Sequence, residues 1–431
     1  MSTIWAKDGS GNPFSQRLHE ICFKTNLDYD NVLLPHDINA LISHGKMLGH
    51  TGLISQEDTD KIVDCLEAML TEAADGSLAM TPEWEDCHSL IEAVLIERIG
   101  DAGKRLYMAR SRNDQVVSAT RLYTKEAVLS IREQIVEFME AILAFSTRYE
   151  MVALPGYTHT QRAMPCSVGM WASSYLEVLV NQQATIDAAI ALNDVNVLGS
   201  AAGYGTAFPI DRDFVTKDLG LDKTQINSLS CQLSRGQVEC QTLQSLWGTM
   251  LVVNRMANDL VWMTSAEFDF MDVTEVCTTG SSIMPNKKNL DPCEIIRGRY
   301  HIFSGYLTQA QGVISNLFYG YNSDYQETKP VLMEGLRLVS ESVEAMTLVI
   351  NNTSPKEESI KKAFTPDIFA TDEVNRHVIE GKTFRDAYRD VKSNLDKVGL
   401  EDPNENIKEK THLGATANLG LEQLKARLQS W

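Results

Sequence analysis

The chain has 431 residues, 43% hydrophobic and 23% charged, with 39 basic against 58 acidic side chains. That composition excludes a disordered or collagenous chain, and the length allows two or three lobes with ample surface to bury. A formal charge of −19 argues against partnership with nucleic acid or an anionic membrane, yet leaves room for an anionic small substrate, which responds to local charge.

From Met1 to Asp8 there is no apolar run of the kind a signal peptide carries, so a soluble, cytoplasmic protein is expected. An N-terminal lobe of shorter helices is predicted over residues 1–103, broken at Asp75-Gly76 and Thr81-Pro82. Proline-free tracts follow at 83–154 and 210–284, too long for a β-rich chain with frequent turns. Within them Val128, Ile131, Ile135, Phe138, Met139, Ile142 and Leu143 repeat at helical spacing. The same holds for Leu243, Leu246, Trp247, Met250, Val253, Met256 and Leu260. These tracts predict a central long-helix bundle over 104–350. Tyr300 to Ser323 is uncharged but rich in Gln, Ser and Gly, which predicts a helix buried among others rather than a membrane span. Shorter helices return over 351–431, after Ser354-Pro355. No period-two alternation and no Asn-Gly hairpin signal stands out, so the fold class is all-α, in three domains.

Eight cysteines are scattered without a C-x-x-C pair, and nine histidines form no H-E-x-x-H, so reduced thiols and no protein-held metal are expected. The chemistry concentrates in four loops. Gly280-Ser281-Ser282-Ile283-Met284-Pro285-Asn286-Lys287-Lys288-Asn289 follows a glycine with two serines, then supplies cations and an amide suited to a carboxylate. Serine is a weak base at its free pKa and needs such surroundings to act as an alkoxide. Ser111-Arg112-Asn113-Asp114-Gln115 offers the Arg112 fork and the Asn113 amide to a carboxylate; Ser111 and Asp114 suit a helix N-cap equally well. Gly156-Tyr157-Thr158-His159-Thr160-Gln161 brings an imidazole that titrates near neutrality. Tyr321 through Lys329 is the fourth loop.

The serine loop resembles the G-S-S-x-M-P-x-K-x-N signature of the fumarase/aspartase superfamily, whose members eliminate an amine or hydroxyl from a succinyl group. Leu290 stands where that pattern usually has proline. Ser111 to Gln115 resembles the S-R-N-D-Q stretch of the argininosuccinate lyases, although their preceding H-T is Tyr107-Met108 here. Gly156 to Gln161 is similar to their G-Y-T-H-L-Q. Asn26 and Asp30 fall on S-x-x-x-D, Asp86 and His88 on E-D-x-H, and Tyr321, Gln326 and Lys329 on Y-N-x-D-x-Q-E-x-K. Arg235 falls on the arginine of S-D-R-D, with Gly236 in place of the second aspartate. Trp5-Ala6-Lys7 is a remnant of W-G-G-R-F, and Phe384 to Ala387 is close to F-R-E-A.

The resemblance implies a three-domain fumarase/aspartase-like fold whose central bundle oligomerises, as a homotetramer with active sites shared between subunits. It implies cleavage of argininosuccinate to arginine and fumarate, without metal or organic cofactor. Ser281 is then the candidate base, His159 with Glu294 the pair beside the leaving nitrogen, and Lys287 a stabiliser of the carbanion. Asn26, Asp86, Arg112, Asn113, Thr158, Asn289, Tyr321, Gln326 and Lys329 become candidate substrate contacts. Two alternatives stand beside this. The departures at Asn26, Met108 and Gly236 suit another fumarate-releasing C–N lyase acting on a different N-substituted aspartate. A crystallin-like structural protein derived from the enzyme is the other, against which the intact Ser281, Lys287, Asn289 and His159 argue.

Overall fold

The structure is a computed structural model that describes Arg17, Ile21 and residues 27–81 and 84–431. The chain divides into two compact units. The first comprises residues 1–130, 185–245 and 305–337, and the second 131–184, 246–304 and 338–431. Among the described residues no helix is long and apolar enough to cross a membrane.

In the first unit three helices pack together: α1 (Leu27–His50), α2 (Gln56–Asp75) and α3 (Cys87–Ile99). Their shared core includes Ile38, Leu41 and Leu48 of α1, Ile62, Leu66 and Met69 of α2, and Leu90, Ile91 and Leu95 of α3. Each such side chain contributes about 1.5–3 kcal/mol when fully buried. Helix α2 starts where the Ser55 hydroxyl accepts the Asp58 N–H, with acids in its first turn, and stops at left-handed Gly76. The long helices follow the apolar spacing of the sequence. Helix α4 (Arg112–Arg148) buries Val128, Ile131, Ile135, Phe138, Met139 and Ile142. Helix α6 (Gln237–Met263), numbered after the shorter α5 (Val168–Val180), buries Leu243, Leu246, Met250, Val253, Met256 and Leu260 completely, while Trp247 of the same stripe is 40% exposed.

The second unit holds two small antiparallel pairings that sequence spacing did not reveal. Strands β1 (Ala153–Thr158) and β2 (Gln161–Ser167) form a hairpin, with Pro155 opposite Pro165 and Thr158 opposite Gln161. Its two-residue turn is His159-Thr160, both at positive φ (52° and 60°), the conformation normally given by Asn-Gly. Strands β3 (Met271–Val273) and β4 (Thr353–Pro355) pair in the same sense. Helix α7 (Asp291–Val313) follows the serine loop, and α8 (Thr328–Asn351) leads into β4. The uncharged stretch from Tyr300 corrects one expectation. Helix α7 ends at Val313, and His301, Ile302, Thr308, Gln309 and Phe318 are exposed on this chain rather than buried among other helices. Lack of charge alone does not bury a segment within its own chain, because hydroxyls such as those of Ser304 and Ser315 are satisfied by the backbone carbonyls of Tyr300 and Gln311.

Candidate functional site

The segment Ser111–Asp114 is a capping box at the start of α4. The Ser111 hydroxyl accepts the Asn113 N–H at 3.3 Å, and the Asp114 carboxylate accepts the Ser111 N–H at 2.9 Å. The other Asp114 oxygen accepts the N–H groups of Gly199 (3.0 Å) and Ala201 (2.7 Å), so this buried side chain clasps a second loop. Burial is the dominant influence on it and, despite three donors, raises its pKa to about 6.

Asp86 is likewise a cap. It accepts the Ser89 N–H (2.8 Å) and hydroxyl (2.7 Å) at the start of α3. Its other oxygen receives Nη1 of Arg112 at 3.1 Å, Glu85 lies 3.3 Å from the same nitrogen, and Nη2 of Arg112 donates to Ser89. Both Nη groups of Arg112 therefore already have partners within the protein, two acids and a hydroxyl, which use only part of its five N–H donors. Burial opposes the Asp86 charge, but His88, Arg112 and the Ser89 hydrogen bonds outweigh it and hold the carboxyl below its ordinary range. The Asn113 side-chain amide has no hydrogen-bond partner among the described residues and faces open space beside Arg112.

That space is a cavity of about 230 Å³ in the first unit. It gathers six of the predicted contacts: Asp86, Arg112, Asn113, Tyr321, Gln326 and Lys329. Gln326 donates to the Tyr321 hydroxyl at 3.1 Å, and Lys329 pairs with buried Asp30 at 2.5 Å. Asp30, Glu85, His88, Val116 and Arg235 complete the lining. Three acids (Asp30, Glu85, Asp86) face three permanent cations (Arg112, Arg235, Lys329), and one Glu85 oxygen is buried without a partner. A wall so balanced suits a ligand that carries both signs of charge. Glu85, His88 and Arg235 were legible as motif positions, but nothing in their spacing placed them at this wall.

Behind the wall, Nδ1 of His88 lies 2.7 Å from Asp37, whose two oxygens also accept the Gln115 amide at 2.8 and 2.9 Å. Burial disfavours the imidazolium, but the Asp37 charge prevails and raises the His88 pKa well above its usual value. Asp37, Cys87 and His88 are also near enough together to hold a metal ion. The Asp37 oxygens are already committed to the imidazole and the amide, and burial pushes the Cys87 thiol up to about 12, so the cluster is arranged as a hydrogen-bonded ion pair. All seven cysteines among the described residues are unbridged.

The remaining candidates lie in the second unit. Thr158 ends strand β1 and His159 occupies the exposed hairpin turn. The serine loop is closed at its base by paired backbone hydrogen bonds between Thr279 and Asn289 (2.8 and 2.9 Å). Inside it the Ser281 hydroxyl accepts the N–H groups of Ile283 (3.3 Å) and Met284 (3.1 Å), donors of the kind that favour an alkoxide. Lys287 is exposed with no ion pair among the described residues, whereas its neighbour Lys288 is held by Asp272 at 3.0 Å. Leu290, in the proline position of the signature, is 6% exposed and its carbonyl receives the first N–H groups of α7. Glu294 lies in the first turn of α7, exposed, and shares no hydrogen bond with His159 within this chain. Asn26, and Trp5 to Lys7, lie outside the described residues.

A protein family described as Lyase matches residues 20–301. An argininosuccinate lyase of Sorangium cellulosum (strain So ce56) is 37% identical over 425 residues, covering 99% of this chain and 98% of the relative. One from Thermotoga neapolitana is 35% identical over 381 residues, 88% of this chain and 95% of the relative. Among solved structures, EDDS lyase in complex with formate superposes with a TM-score of 0.81 at 20% identity, covering 93% of this chain and 87% of that one. A class II fumarase from Schistosoma mansoni does so at 0.71 and 17%, covering 88% and 91%. Those two likenesses establish the helical fold, and the sequence relatives establish kinship: this chain belongs to the lyase family of the fumarase/aspartase superfamily.

Proposed function

We propose that the protein cleaves argininosuccinate to arginine and fumarate. The observation that carries this reading is the cavity that brings Asp86, Arg112, Asn113, Tyr321, Gln326 and Lys329 together with balanced charge, as a zwitterionic amine half requires. Relatives that are argininosuccinate lyases support it across nearly the whole chain.

The chemical difficulty is removing a weakly acidic C–H proton next to a carboxylate. Ser281, as alkoxide, takes that proton from the succinyl methylene. The electron pair spreads into the adjoining carboxylate and then forms the carbon–carbon double bond of fumarate as the carbon–nitrogen bond breaks. Lys287, Asn289 and the loop N–H groups hold the charge-rich intermediate more strongly than the ground state. The guanidino nitrogen leaves protonated, on the side of His159 and Glu294. Fumarate release, followed by its ultraviolet absorbance, tests the reading. Argininosuccinate as substrate, undiminished by a chelator, is the expected result. Turnover of adenylosuccinate or aspartate with argininosuccinate inert would overturn it and favour a different N-substituted aspartate.

The active form in this reading is a homotetramer with sites shared between subunits. Two observations support it: His159 and Glu294 do not pair within one chain, and the second unit exposes Val178, Trp247, Trp262, Ile295, Ile302 and Leu348. Large apolar side chains in such number favour burial against another copy. Joint refolding of inactive His159→Asn and Ser281→Ala variants should restore activity in hybrids. A fully active monomer by sedimentation at assay concentration would sink the shared-site arrangement.

A further inference from the structure

Arg235 is a buried cation, 5% exposed, on the wall of the 230 Å³ cavity. Its guanidinium lies over the ring of Tyr321, 5.2 Å from the centroid, and over that of Tyr325, 5.6 Å away. Two aromatic faces hold the group in place and cancel part of its charge, but a ring face uses none of the in-plane N–H donors. Among the described residues no acceptor hydrogen-bonds those donors. Glu239, in the first turn of helix α6, attracts the guanidinium without bonding to it, and is shared with Arg121. The neighbouring position offers no carboxylate, because it is Gly236, at φ 75°, where a Cβ would lie 2.3 Å from a methyl of Ile314.

A guanidinium taken from water and left without acceptors is costly. The contrast with Arg110 is informative, since its unpartnered Nε and Nη1 are sealed from any cavity, whereas none of the Arg235 nitrogens is so sealed. The missing acceptor is thus one that enters the cavity. A planar carboxylate fits a fixed fork, and three acids on the same wall (Asp30, Glu85, Asp86) disfavour a more highly charged phosphate.

We infer that Arg235 is a substrate-binding and specificity-determining residue, held by Tyr321 and Tyr325 to receive a carboxylate of the amine half of the substrate. The inference rests on the proposed function, in which Tyr321, Gln326 and Lys329 face that half. It explains why the cavity wall carries a cation beyond the already paired Lys329 and Arg112.

The test compares wild type with Arg235→Gln and Arg235→Lys on two substrates, argininosuccinate and its analogue lacking the carboxylate of the arginine half (the agmatine conjugate). Arg235→Gln should raise KM for argininosuccinate by about 10- to 100-fold, the range for losing one charge-assisted pair, with a smaller change in kcat. KM for the decarboxylated analogue should stay unchanged, so the wild-type preference collapses. Arg235→Lys, keeping the charge without the fork, should retain part of the preference. Equal losses on both substrates, or an unaltered preference, would overturn the inference. Should Arg235→Gln not fold, Arg235→Lys reads the same ratio. Wild type alone decides the proposed function. If it releases fumarate from another N-substituted aspartate instead, the ratio is taken for that substrate with and without its amine-half carboxylate, and decides Arg235 in the same way.

Discussion

Asp37 and His88 form a buried ion pair at 2.7 Å, joining helix α1 to the first turn of α3 directly behind the cavity wall. The imidazolium that results is a fixed positive charge adjoining Asp86 and the candidate substrate space. It also links the stability of the first unit to pH.

His88 has its pKa raised well above 6.5 in the folded chain. A raised basic group contributes stability that is fully present below the unfolded pKa and is lost as pH rises through the folded one. Urea midpoints should therefore show this contribution intact at pH 6 and declining in the alkaline range. Asp37→Asn should remove that alkaline decline and cost about 3–5 kcal/mol at neutral pH, the usual result of stranding one partner of a buried pair. Equal midpoints for variant and wild type at pH 7 would contradict the pairing.

Asp114 is linked to pH in the same direction for the opposite reason, because burial favours its neutral form. Its carboxyl is raised from 3.8 to about 6 by burial, so the native chain binds a proton that the unfolded chain has already released. Stability from this group is complete below pH 3.8 and falls as pH rises through about 6. Asp114→Asn should flatten that limb between pH 4 and 7. It should also lower stability by about 1–3 kcal/mol, because an amide group facing the Ser111 N–H replaces an acceptor. Denaturant titrations at half-unit pH steps measure both effects.

Ser281→Ala should abolish turnover by several orders of magnitude and leave the thermal transition nearly in place. The hydroxyl accepts only two N–H groups of an exposed loop, so its loss costs about 1 kcal/mol or less. Ser282→Ala should be milder in turnover. Comparable rates in wild type and Ser281→Ala would remove Ser281 as the base.

Restoring the superfamily's aspartate at Gly236 should fail for a steric reason. At φ 75°, with the Cβ position 2.3 Å from Ile314, Gly236→Asp is expected to destabilise by about 2–4 kcal/mol. Ile314→Ala in the same chain should recover part of that loss, and additive effects of the two changes would refute the proposed contact.

Local physics made much of this protein legible in advance. The spacing of Val128, Ile131, Ile135, Phe138 and Met139 demands a helix with one buried face, and Ser111 with Asp114 marks its start, because both signals act within one or two turns of backbone. The resemblance of the serine loop to a known signature, with the other motifs in order behind it, indicated the superfamily. What spacing could not convey were pairings between distant segments. Asp37 meets His88 across 51 positions, Lys329 meets Asp30 across 299, and Arg112 meets Asp86 and Ser89 across 26 and 23. The hairpin at His159-Thr160 escaped notice because its turn holds left-handed backbone without the glycine that usually signals it. In the sequence Arg235 is only a motif position, the arginine of S-D-R-D, with no role attached. Only packing between Tyr321 and Tyr325, which fixes where its donors point and removes every acceptor but an incoming one, makes it part of a site.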